Sequence, residues 1–168
     1  MKNNRINELI PIANEALLQQ FDAIKQECCN EKDDDKRKKI WEKSILRQDE
    51  NKNAYHINEK YDGKISAFGV TVALSGLLPA LAIYFKESSE VKTRPILEVI
   101  AKIIVVDREY DQHSQLSEKI EETDSIAKGL VGHTINLSEN ERKELKKYVL
   151  DAAIALKQVV RTYELVKI

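Results

Sequence analysis

From Ile65 to Phe85 the chain carries no charged residue, in a sequence of which 33% is Asp, Glu, Lys or Arg. A run that long is either the buried centre of a fold or a membrane span, which needs roughly 20 predominantly apolar residues. Its internal punctuation favours the first. Gly69 interrupts the first half, Ser75-Gly76 stands in the middle and Pro79 follows, so the run reads as two short helices. Ser75 is expected to cap the second helix, with Pro79 at its first turn, where a missing donor does little harm. Ile65, Phe68 and Val72 share one stripe and Leu77, Leu78, Leu81 and Phe85 the other, which makes Phe68, Leu77, Leu81 and Phe85 the expected core. Neither a basic loop asymmetry nor an aromatic belt frames the tract, so no membrane contact is expected, although a span at Ile65 to Phe85 remains the competing reading.

The flanking sequence reads as helix throughout. Ile6, Leu9, Ile10, Ala13, Leu17, Phe21, Ile24 and Cys28 recur at helical spacing, and Pro11 either kinks this long first helix or marks its start. Glu31 to Asp35 is an acidic cap for a following basic helix, Lys36 to Lys39. The sparse apolar stripe from Ile40 to Tyr61 predicts one or two polar helices, closed by a stop at Asp62-Gly63. A polar loop is expected from Glu87 to Lys92, then a Thr93-capped helix from Pro95 whose buried face carries Ile96, Leu97, Ile100, Ile103 and Ile104. Another helix is expected from Ser114 to Lys128, stopping at Gly129. Ser138-Glu139-Asn140-Glu141 is a capping box for a last helix that buries Leu145, Val149, Ala152, Ala153, Leu156, Val160 and Tyr163. Alternating strands are absent from this reading. The expected fold is all-α, a single compact bundle of about six helices over residues 1–168, with long first and last helices around the apolar hairpin. The charged segment from Asn30 to Lys52 stands out as an insertion or an extended helical arm.

Little in the chain points to catalysis. No nucleophile elbow, Gly-rich phosphate loop or HExxH pattern occurs. Asp107 to Glu118 has the length of a calcium loop but carries Gln112 where such a loop needs Gly, so a solvated helix junction is the simpler reading. Glu31 with Asp33 to Asp35 reads as a solvated charge run, and His56, His113 and His133 lie in separate segments. No catalytic residue, metal site or cofactor is expected. The adjacent Cys28 and Cys29 are too close to bridge one another without strain, and the N-terminus lacks an apolar signal region, which together point to the cytoplasm. A net charge of −1 and a pI of about 6.3 give no global sign of nucleic-acid binding, so any such contact has to come from a local patch. Lys36 to Lys39 with Lys43 and Arg47, the pair Lys60 and Lys64, and Lys143, Lys146, Lys147, Lys157 and Arg161 on the last helix are the basic groups that could form one.

The order Gly63-Lys64-Ile65-Ser66-Ala67-Phe68-Gly69, then Ser75-Gly76-Leu77-Leu78-Pro79-Ala80-Leu81-Ala82 and Tyr84-Phe85, resembles the signature of the small all-helical subunit of Cmr-type (type III-B) CRISPR effector complexes. In that family a helix ending in an SFG-like turn leads into a GL-x-x-A-x-A helix ending in Phe or Tyr. Leu150-Asp151-Ala152-Ala153-Ile154-Ala155-Leu156-Lys157 is similar to the family's last helix. The Asn30 to Lys52 segment is long and highly charged for the family, and the net charge is acidic rather than basic. The resemblance implies a non-catalytic subunit of an antiviral effector, stacking on copies of itself and on other subunits in the inner filament. Its partners would be the CRISPR RNA and target RNA, held through basic residues for which Lys60, Lys64, Lys147, Lys157 and Arg161 are the candidates. A generic helical adaptor without nucleic-acid binding is the alternative.

Overall fold

The computed structural model describes residues 2–49, 54–86 and 92–167. Among them are eight helices: α1 (Lys2–Asn30), α2 (Asp34–Trp41), α3 (Glu59–Ser75), α4 (Leu77–Lys86), α5 (Arg94–Asp107), α6 (His113–Glu121), α7 (Ile126–Asn136) and α8 (Glu139–Val160). Three short strands, β1 (Leu46–Gln48), β2 (Tyr55–Asn58) and β3 (Glu164–Val166), form one sheet in the order β1-β2-β3. The expectation of an all-α chain of about six helices is therefore corrected to a mostly helical fold with a small mixed sheet.

The sheet occupies the stretch read as polar helix. β1 and β2 pair antiparallel, Leu46 opposite Ile57 and Gln48 opposite Tyr55, and β3 adds in parallel with Leu165 opposite Ile57. Leu46 and Ile57 are fully buried, and Tyr55 packs edge-on against both Phe21 and Tyr163. Burial of these few side chains under α1 fixes the strands, although each is too short to display alternation in sequence. Tyr163, expected on the last helix, lies beyond the end of α8 and donates its hydroxyl to Asn14 Oδ1 at 2.6 Å.

Several boundaries move for identifiable reasons. Asp62-Gly63 does not stop a helix: Asn58 accepts the Lys60 N–H and starts α3 ahead of it. The break in the apolar tract is Gly76, at φ 94°, which ends α3 so that Ser75 is its last residue rather than the cap of α4. Thr93 stands at the N-cap position of α5 without capping it, because its hydroxyl donates instead to the Tyr84 carbonyl. Pro11 lies inside α1 on its exposed side, where water can reach the carbonyl it deprives of a donor. The stretch expected as one helix from Ser114 to Lys128 is two, α6 and α7. Gly129 belongs to the interior of α7, where a Cβ would meet the Ile120 backbone Cα at 2.7 Å. The polar loop expected from Glu87 falls, up to residue 91, outside the described residues, as do residues 50–53.

α5, rather than the uncharged tract, is the centre of the core. Ile96, Leu97, Val99, Ile100, Ala101, Ile103 and Ile104 are all buried, and α5 packs against α1, α4, α6, α7 and α8. α8, opened by the Ser138–Glu141 capping box, lies against α1, α3 and α5. Phe68, Leu77 and Leu81 are buried, whereas Phe85 is half-buried with the Arg94 guanidinium 4.1 Å from its ring centre. Much of the tract faces outward: Leu74 is 82% exposed, Val70 57% and Ile83 55%. A separate apolar cluster of Ile24, Cys28 and Ile40 holds the charged α2 onto α1.

Candidate functional site

The end of α8 meets the start of α3, the two elements that carry the expected basic residues. Arg161 Nε donates to Asp62 Oδ1 at 3.2 Å, so the end of α8 lies on the first turns of α3. Lys60 and Lys64 lie two residues either side of Asp62, so they share the opposite face of α3 from it, and Lys157 precedes Arg161 by one turn of α8. Lys147 is ten residues, about 15 Å, further back along α8. Four of the five therefore share one end of the α3–α8 pair and Lys147 does not. Arg161 is already ion-paired, which reduces what it can offer a phosphate.

Between Ile65 and Phe85 the exposed residues of the α3–α4 hairpin carry no charge and, Ser75 apart, are apolar. Tyr84 packs on Phe68 and donates its hydroxyl to the Lys64 carbonyl, so α4 folds back along α3. Burial raises the Tyr84 phenol to about 12 and keeps this donor protonated. Ala67, Val70, Ala73, Leu74, Pro79, Ala82 and Ile83 are left exposed.

Polar chemistry gathers at the other end of α8. Tyr110 OH and His133 Nε2 lie 3.0 Å apart in the core, and burial, followed by Lys119, lowers the His133 pKa despite Glu141. Burial raises that of Tyr110, assisted by Glu144 and Glu141. The neutral His133 ring and the protonated Tyr110 phenol are thus hydrogen-bond partners through Nε2 and the hydroxyl. Glu144, desolvated and hydrogen-bonded to Asp111, is held above the ordinary carboxyl range. Asp107, the first residue of the calcium-like spacing, is clasped by both terminal nitrogens of Arg5. Among the described residues no three His, Cys, Asp or Glu side chains gather as metal ligands. Cys28 is buried with its thiol pKa raised by desolvation, and Cys29 is exposed; both are unbridged.

Two concavities flank α2. One, of about 560 Å³, is walled by Phe21 and Trp41, with Lys25 and Arg37 at its edge. Arg37 is held there by the Glu31 carbonyl and Asp34. The other, of about 830 Å³, lies between α2, the start of α5 and the start of α7. Lys39 and Lys43 line it from one side, Lys92 and Arg94 from another. Lys39 and Lys43 are legible in sequence as part of a basic run; Lys92 and Arg94 are not, because only the packing of α5 brings them to that run.

No described helix is long and apolar enough to cross a membrane. Comparison with protein-family models, with curated proteins and with solved structures gave no match to this chain.

Proposed function

We propose that this chain is a non-catalytic structural subunit of a type III-B, Cmr-type CRISPR RNA-guided antiviral effector, acting in the cytoplasm. In this reading it is one stable domain that stacks on copies of itself and on neighbouring subunits, and its basic residues touch the backbone of guide and target RNA without reading sequence. The reading rests first on the resemblance carried by Gly63 to Phe85 and Leu150 to Lys157. The observation that carries it further is the exposed apolar surface of the α3–α4 hairpin. In a chain one third charged, Val70, Leu74 and Ile83 face outward with no charge between them, as an assembly face requires and a free surface does not. In this reading Lys60 and Lys64 on α3 and Lys157 on α8 supply the RNA contact.

Leu74→Glu tests the assembly face. Because Leu74 is 82% exposed, the substitution should leave unfolding within about 0.5 kcal/mol of wild type. It should also abolish incorporation when the chain is co-expressed with the remaining effector subunits and a guide RNA. Full incorporation of the variant, or failure of the wild-type chain to enter the complex, refutes the reading.

The net charge of −1 favours a second reading, a helical adaptor with no nucleic-acid role. Charge reversal at Lys64 and Lys157 separates the two: an unchanged salt dependence of RNA binding by the assembled complex leaves the adaptor standing.

A further inference from the structure

The 830 Å³ cleft between α2, α5 and α7 gathers four cations and three carboxylates, an excess of one positive charge. Its lining holds Lys39, Lys43, Lys92 and Arg94 against Glu42, Glu98 and Asp124. Two of those carboxylates are engaged: Glu98 accepts from Gln20 Nε2 at 3.3 Å, and Asp124 lies 3.7 Å from Lys128 Nζ. Lys39, Lys43 and Lys92 have no carboxylate within 4.0 Å among the described residues. Arg94 is anchored differently, its Nε on the Phe85 carbonyl at 2.6 Å and its plane over the Phe85 ring. Three lysines from two chain segments thus face one concavity, and no described carboxylate pairs with any of them.

Backbone electrostatics act in the same direction. α5 and α7 both begin at this cleft, through Pro95 and Ser125, so the positive ends of two helix dipoles reach it. The Thr93 hydroxyl is diverted to the Tyr84 carbonyl, which leaves the first turn of α5 without a side-chain cap. Pro95 has no N–H, the Ile96 N–H goes to the Thr93 carbonyl at 3.0 Å and Ser125 caps α7, so the two helix starts add field at the cleft rather than open donors.

We infer that this cleft binds phosphate groups, with Lys39, Lys43 and Lys92 as the cations that hold them. The same chemistry is presented by a free polyphosphate and by the backbone of a single RNA strand. The inference goes beyond the assembly reading and does not depend on it, since it concerns the isolated chain.

Titration of the full chain with inorganic tripolyphosphate and, separately, with a fluorescent oligouridylate across a salt series tests it. The triple variant Lys39→Gln, Lys43→Gln, Lys92→Gln is compared with an equal-charge control, Lys32→Gln, Lys119→Gln, Lys167→Gln, and thermal melting verifies that both are folded. Wild type and control should bind alike. For the oligouridylate the cleft variant should bind about tenfold more weakly near physiological salt, and its log K against log salt should be shallower by about 2. Preference for the oligouridylate identifies a strand as the source and preference for tripolyphosphate a free anion; either supports the site. Absence of binding by wild type to both ligands, or equal weakening by the two triple variants, overturns it.

Discussion

Tyr110 and His133 show how one buried pair ties stability to pH. The ring nitrogen and the phenol are each other's partner in the core, 3.0 Å apart, and neither has water to fall back on. Tyr110→Phe keeps the ring packing against Tyr148 but leaves Nε2 buried and unpaired, which should cost about 1–3 kcal/mol in urea unfolding at pH 8. An unchanged midpoint would mean that the ring finds another partner. The sign of the pH dependence follows from the lowered His133 pKa. Well above 6.5, the ordinary value, the ring is neutral in both states and this contribution is whole. As pH falls from there toward the folded value, the unfolded chain takes up the proton first, so stability declines. Glu141 opposes that shift and Lys119 reinforces it. The urea midpoint of wild type should therefore drop as pH falls through 6.5, and His133→Gln should lose most of that drop.

Glycines in helices separate two roles that look identical in sequence. Gly129 sits where α7 crosses α6, and a Cβ there would lie 2.7 Å from the Ile120 Cα and 2.9 Å from its Cγ1. Backbone cannot yield as a side-chain tip can, so Gly129→Ala should part the two helices at a cost of about 1–3 kcal/mol. Gly69, in the middle of α3, has open space where a Cβ would stand, with nothing within 4 Å, and Gly69→Ala should stabilise by about 0.5–1 kcal/mol through helix propensity alone. Thermal melts of the two variants should move in opposite directions; movement in the same direction would show that α6 and α7 repack freely. The same contrast explains which elements are legible in the sequence. The capping box at Ser138, the acidic cap at Asp33 and the stripes of α1, α5 and α8 are local signals, and each coincides with the element expected from it. Asp62-Gly63 and Gly129 carry the same local stop signal, yet helices capped upstream, by Asn58 and by Ser125, run through both.

At the scale of the whole molecule, the uncharged tract is legible as a helical hairpin but not as an element with an outward face. Hydropathy ranks Ile65 to Phe85 above every other stretch, while burial places α5 at the centre and leaves Leu74 exposed. Apolar character states what a residue tolerates, and only the packing of the other helices decides what is covered. The phosphate cleft is illegible for a related reason: Lys39 and Lys92 are brought together by the docking of α2 and α5, which no local pattern encodes. The sheet is the most non-local feature of all. β3 follows α8, yet it pairs with β2, the strand that leads into α3, and Tyr163 fastens this return to Asn14 of α1. Deleting the chain from Glu164 onward should therefore open the β2 edge while leaving the helical core closed. Hydrogen exchange should then speed up at residues 55–58 and stay slow across α5, because local opening draws on the sheet alone. Equal loss of protection in β2 and α5 would show that β3 is part of the cooperative core, and unchanged protection in β2 that the parallel pairing contributes nothing.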